Sequence, residues 1–215
     1  MDVAILGGHG KIALLLAARL RARGDAVRSL IRNPDHADEV RAAGGEPLLL
    51  DVERAGAQQL ADALGAADAV VFAAGAGPGS GAARKETVDY GGAVKLIEAC
   101  RLAGVARYVM VSAIGAAPDA PGDAVYAVYQ RAKGRADAEL AASGLAYTIV
   151  RPGPLSDEPA TGRVALAERR VPISRADVAA VLAATLHEDA LVGAAFTLVG
   201  GDTPIAEALA AAASG

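Results

Sequence analysis

Two short stretches of the chain carry residue types at spacings that can do chemistry. The first is Val3-Ala-Ile-Leu-Gly7-Gly8-His9-Gly10-Lys11-Ile12-Ala13. Gly7 suits a tight turn, Gly10 lets the backbone approach a diphosphate, and Ala13 lets a helix pack close to a strand. A helix starting at Lys11 then offers its free N–H groups and positive dipole end to the phosphates. The second stretch is Tyr129-Gln-Arg-Ala-Lys133. Residues four apart lie on one helix face. An ammonium beside a phenol favours the phenolate and lowers the phenol's pKa from ~10 toward the working range. Tyr129 is then placed to donate or accept a proton. The chain has 17 Arg and 4 Lys, which makes a Lys at this spacing less a generic surface cation. Tyr126 lies one turn earlier but has Gln130, not Lys, four residues on.

These residues need elements to position them. Short apolar, β-branched runs predict strands over Val3–Leu6, Val27–Ile31, Pro47–Leu50, Ala69–Ala73, Arg107–Ser112, Ala146–Val150 and Phe196–Val199. Helical spacing predicts helices over Lys11–Arg23, Pro34–Ala43, Val94–Ala103, Ala124–Ser143 and Ser174–His187, four of them ending at or before Gly24, Gly44, Gly104 and Gly144. Ser174 reads as an N-cap with Asp177 three residues on, a variant of the capping box. Strand–helix alternation with continuously apolar strands means a parallel sheet covered on both faces. The expected fold is therefore a Rossmann-type doubly wound α/β sheet of about seven strands, one domain over residues 1–215, with a small substrate-side portion from about 152. Irregular Gly/Pro-rich loops are expected over Gly75–Ala83, Gly115–Gly122 and Pro152–Gly162, along the sheet edge where such folds bind ligands.

The second strand ends Ser29-Leu30-Ile31-Arg32-Asn33-Pro34. An acid at its end would read the 2′-hydroxyl of NAD; Arg32 stands there instead. A guanidinium matches a 2′-phosphate with parallel hydrogen bonds, so NADP is expected over NAD. His9 and Lys11 add positive charge nearby. Asp51-Val52 follows the third strand, where Asp51 either accepts from an adenine amino group or caps the next helix. The small residues Ala73, Ala74 and Gly75 after the fourth strand let the backbone pass close to a ribose.

In this order the motifs resemble the atypical short-chain dehydrogenase/reductases. The residues carrying the resemblance are Gly7 to Ala13, Ile31-Arg32-Asn33-Pro34, Val111-Ser112-Ala113-Ile114-Gly115, Tyr129 with Lys133, and Val150-Arg151-Pro152-Gly153-Pro154-Leu155. Gly200-Gly201-Asp202-Thr203-Pro204-Ile205 is similar to the compact bacterial branch labelled NAD-dependent epimerase/dehydratase. The resemblance implies that Ser112 binds the substrate oxygen, that Pro152 lies against the nicotinamide, and that Lys133 also reaches the nicotinamide ribose. Two positions depart from the pattern. Only Ser112 is present where relatives place Ser or Thr just after the strand. Asp89 stands where many carry Asn, and reads here as a helix-capping or solvated acid. The expected activity is NADP(H)-dependent oxidoreduction of a small carbonyl, quinone or flavin-like compound. The alternatives are a non-catalytic NADP(H)-binding sensor and an epimerase/dehydratase-type enzyme.

Composition narrows the setting. Hydrophobic residues make up 53% and charged residues 21%, which argues against disorder. The net charge of −4 carries no nucleic-acid footprint and no polybasic membrane segment. Cys100 is the only cysteine and reads as a small core residue. No charged-then-apolar leader precedes the first strand and no apolar run reaches ~20 residues, so a cytoplasmic protein is expected. His9, His36 and His187 are far apart, so no metal site is expected. The expected partner is a small-molecule substrate, and the expected assembly a monomer or homodimer.

Overall fold

The apolar runs form strands covered on both sides. In the computed structural model, which describes residues 1–77 and 79–214, alternate residues of each inner strand enter different cores. Val3 and Ile5 of β1 (Asp2–Leu6) pack in one, Ala4 and Leu6 in the other. The parity repeats in β4 (Ala69–Phe72), where Val71 joins the first core and Val70 and Phe72 the second. Successive side chains of a strand point to opposite faces, so two covered faces require an unbroken apolar run.

The main sheet also contains β2 (Ala26–Ile31), β3 (Glu46–Leu49), β5 (Arg107–Val111) and β6 (Ala146–Pro152). Short strands follow: β7 (Leu155–Ser156), β8 (Arg163–Ala165), β9 (Ile173–Ser174), β10 (Ala195–Gly200) and β11 (Thr203–Pro204). The nine-stranded order is β11-β8-β10-β6-β5-β4-β1-β2-β3, while β7 and β9 pair separately. From β3 through β10 every pairing is parallel; β8 and β11 add antiparallel neighbours at one edge. Strand order reverses between β1 and β4, which opens a crevice beyond the carboxyl ends of those strands.

Helices α1 (Lys11–Ala22) and α7 (Arg175–Leu186) pack on one face. On the other face lie α3 (Ala57–Leu64), α5 (Gly91–Ala103) and α6 (Val125–Ala141). Cys100 of α5 is fully buried, and burial pushes its thiol up to about 12, as a core residue requires.

The fold class matches the expectation, but the described residues form eleven strands rather than about seven. The extra ones span only two or three residues, too few to show a period. Two helices were not legible, α3 and α8 (Ile205–Ala212). Pro34–Ala43 divides into a 3-10 turn over Pro34–His36 and α2 (Ala37–Ala42). The helix expected from Val94 starts earlier. It runs from α4 (Gly81–Arg84) through a π-helical turn, Lys85–Tyr90, into α5. The expected loop over 75–83 is thereby shortened, and Pro78 in it lies outside the described residues. Pro152–Gly162 contains the end of β6 and all of β7.

Ser174 caps α7 as expected, accepting from Asp177 N at 3.0 Å. The buried Asp177 carboxylate does more than complete the cap. It accepts from Gly162 N (2.9 Å), Thr161 N (3.0 Å) and the Ser174 hydroxyl (2.9 Å), tying the loop after β7 to α7. Burial opposes its charge, yet these donors hold it below the ordinary carboxylate range. A carboxyl lowered in the folded state adds stability that is present above the unfolded pKa and lost as pH falls through the folded value. Asp177→Ala is expected to cost about 1.5–3 kcal/mol at pH 7, the range for hydrogen bonds to a charged group. Urea denaturation at pH 7 and pH 3 checks this: the deficit relative to the parent must shrink in acid. A deficit equal at both pH values would rule out the charged carboxylate as the stabilising group.

Candidate active site

The crevice between β1 and β4 holds two adjoining cavities whose common wall is Ala73-Ala74-Gly75. The smaller, of about 270 Å³, is lined by the glycine-rich turn and the ends of β2 and β3. The larger, of about 700 Å³, is lined by the ends of β5 and β6 and by α6.

The glycine-rich turn depends on absent side chains. Gly7 has φ +84°, and a Cβ there would stand 2.6 Å from Ala74 backbone. A Cβ on Gly8 would stand 2.5 Å from the Ser29 side chain, so Gly8 packs inward while Gly7, His9 and Gly10 face the smaller cavity. Gly10 is the N-cap of α1 and contributes no side-chain cap, which leaves the first N–H groups of the helix open. This cradle fits a dinucleotide phosphate.

The other expected cofactor residues divide into those that face the crevice and those that do not. Ile12 lines the larger cavity, and Arg32, Asp51 and Val52 the smaller. Lys11 lines neither; its ammonium points away to Asp157 at 2.6 Å. Asp51 does not cap α3, whose N-cap is Gly56, but accepts from Glu53 N at 3.0 Å. His9 stacks on His36, with ring centroids 3.5 Å apart, and meets Glu39 at 3.1 Å. Arg32 stands 3.6 Å from Glu53, which Arg84 also engages at 2.7 Å. The Arg84 and Thr87 hydrogen bonds hold the Glu53 carboxyl below the usual range. Glu53, Arg84 and His36 carry no local motif and come to Arg32 only through the fold.

The larger cavity gathers Ser112, Tyr129, Lys133 and Pro152. Ser112 directly follows β5, is buried, and its amide donates to Val150 O at 2.8 Å. Lys133 is 3% exposed and donates to Val111 O at 3.0 Å. Its ammonium also pairs with Asp89 at 3.6 Å and lies 5.0 Å over the Phe72 ring. Burial pulls its pKa down against the opposing effect of Asp89.

Two expectations are corrected here. Asp89 is neither a cap nor solvated: it is 0% exposed, and its other oxygen accepts from Ala76 N at 3.3 Å. The π-helical turn turns it inward, where α6 brings Lys133 against it. Nor is the Tyr129 phenol drawn down by Lys133. Burial first, then Asp89, raise it well above its ordinary value, and among the described residues no hydrogen bond joins it to Lys133. The cation over its ring is Lys85, at 5.3 Å. A phenol in this setting keeps its proton at neutral pH and is an acid rather than a base.

His187 lies outside both cavities. It follows α7 and meets Asp25 at 2.9 Å. No helix among the described residues is long and apolar enough to cross a membrane.

The profile of a family described as NAD(P)H-binding matches residues 7–189, from the glycine-rich turn to beyond α7. The chain belongs to this NAD(P)H-binding family. It is 40% identical over 212 residues to a protein of Bacillus subtilis named as an uncharacterized sugar epimerase, covering 97% of this chain and 99% of that one. The structure matches that of a protein assigned as an NAD-dependent epimerase/dehydratase from Bacillus halodurans. The TM-score is 0.91 at 37% identity, covering 98% and 99% of the two chains. It also matches the oxidoreductase ylbE of Lactococcus lactis, with TM-score 0.87 at 28% identity over 98% and 96%. These neighbours are consistent with the atypical short-chain dehydrogenase/reductase resemblance.

Proposed function

We propose that the protein is an NADP(H)-dependent oxidoreductase acting on a small carbonyl, quinone or flavin-like compound, within one domain over residues 1–215. One observation carries this reading. A protonated phenol, Tyr129, and a buried Lys133–Asp89 pair line the cavity that adjoins the phosphate-binding turn across Ala73-Ala74-Gly75. A bound nicotinamide supplies or accepts the hydride. Gly7, Gly10 and the start of α1 hold the diphosphate, and Arg32 with Arg84 takes the 2′-phosphate. Tyr129 gives its phenolic proton to the substrate oxygen in the reductive direction. Lys133 holds a positive charge on the Asp89 side of the cavity, where it also meets the ribose. Ser112 orients the substrate oxygen.

The names of two relatives favour a second reading, an epimerase or dehydratase. The 63 residues after Pro152 support oxidoreduction of a small compound instead. They complete the sheet and its cover as β8, β10 and α7. Glu53 near Arg32 supports the opposite cofactor preference, since a carboxylate can read the 2′-hydroxyl of NAD.

Titration of NADPH and NADH by calorimetry tests the cofactor reading. NADPH is expected to bind more tightly, by about 1.5–3 kcal/mol for a charge-assisted contact, and Arg32→Ala should remove most of that difference. Equal affinities in the parent protein would exclude a 2′-phosphate site. NADPH oxidation against carbonyls, quinones and flavins tests the activity. Tight NADPH binding with no turnover of any class would favour the sensor.

A further inference from the structure

The lining of the larger cavity is unevenly charged. It contains Lys85, Lys133, Arg170 and Arg175, and one carboxylate, Asp89. Lys133 takes that carboxylate, and Arg175 pairs outside the cavity with Asp157 at 2.7 Å. Lys85 and Arg170 have no such partner: among the described residues, no carboxylate lies within 4.0 Å of either. Lys85 is 8% exposed, and its ammonium donates to Gly77 O at 2.8 Å. Arg170 reaches Tyr126. It donates to the hydroxyl at 3.2 Å, and its guanidinium lies 5.5 Å from the ring centroid. Lys85 stands over Tyr129 and Arg170 over Tyr126, and those rings are 6.0 Å apart.

A buried ammonium with unused donors and no counterion is costly unless a ligand supplies the anion. The cofactor diphosphate does not answer this need, because the phosphate-binding turn lines the smaller cavity and Lys85 lines only the larger. Building on the oxidoreductase reading, we propose that the substrate carries a carboxylate, bound by Lys85 and Arg170, which sets its reducible oxygen toward Tyr129. The substrate class is then a carboxylate-bearing aromatic carbonyl or quinone. The two tyrosine rings, inclined at 36° to each other, provide an apolar wall for its ring, and the two cations select the acid over its neutral ester.

The test uses matched probes, 4-formylbenzoate and anthraquinone-2-carboxylate against their methyl esters. Dissociation constants are read by NMR shift titration, with and without saturating NADP⁺. Each acid is expected to bind about ten- to hundredfold tighter than its ester, the ratio a charge-assisted hydrogen bond gives. Lys85→Met should bring that ratio close to one, Lys85→Arg should keep most of it, and Arg170→Met should lower it. Arg170 is exposed, so its variant remains informative if burying Met at position 85 disturbs folding. Acids and esters binding equally, neither acid binding, or the ratio surviving in the double variant would each overturn the proposal. So would a Lys85→Met effect confined to NADP⁺ affinity. Failure of the parent reading looks different, as absence of dinucleotide binding or of any NADPH oxidation whatever the charge of the acceptor.

Discussion

Tyr129→Phe is expected to lower turnover about 10²–10⁴-fold, the contribution of a positioned acid, with dinucleotide affinity nearly unchanged. The substitution keeps the ring and its place under Lys85 and removes only the proton. Because burial and Asp89 raise the phenol, it is protonated throughout the neutral range. Reduction of an accepted substrate should therefore be flat with pH near neutrality and fall only in the alkaline range. The reverse oxidation, which needs the phenolate, should rise there. Tyr126→Phe provides the contrast. Tyr126 is exposed, one helical turn away, and its hydroxyl faces Arg170 instead of the buried pair, so only a small part of that loss is expected. The comparison is of kcat for NADPH oxidation in the two variants. If Tyr129→Phe turns over at the parental rate, hydride transfer proceeds without a side-chain acid.

The second large effect is on stability. Asp89→Ala leaves the Lys133 ammonium buried without its counterion, and breaking such a pair costs about 3–5 kcal/mol. The pH dependence identifies the cause. Burial already lowers the Lys133 pKa, and loss of Asp89 lowers it further. A lysine lowered in the folded state destabilises below its unfolded pKa, because the unfolded chain binds the proton more readily. The deficit is therefore greatest at and below neutral pH and shrinks in alkali as Lys133 discharges. Asp89→Asn keeps the shape and a partner for Ala76 N and should lose less. Chemical denaturation at pH 6.5 and 9.5 measures both variants. An Asp89→Ala deficit that is unchanged between those pH values would mean the ion pair is not what holds α6 to the π-helical turn.

What was legible in the sequence was local. The glycine-rich turn, the apolar runs and the helix stops depend on residues within one turn or strand of each other. The parity of β1 and β4 was encoded directly, since a strand covered on both faces has no polar residue to show. Tyr129 and Lys133 could be paired on one helix face for the same reason. The sequence therefore determined the α/β class, the parallel core strands and the edge along which the two cavities lie.

The partners of those residues were decided by tertiary structure alone. Lys133 was expected to act on the phenol four residues away, but α6 packs it against Asp89, 44 positions earlier, in a turn that widens to π geometry. Arg32 was expected to meet a 2′-phosphate with His9 and Lys11 nearby, and the fold sets Glu53 and Arg84 beside it. Lys11, in the middle of the phosphate motif, turns out to Asp157 instead. Ion-pair choice depends on which elements meet in space and on how much water they exclude. Residue type and spacing can name the charges, but burial at the junction of the π-helical turn, β5 and α6 sets their pKa values, and with them which group keeps the proton.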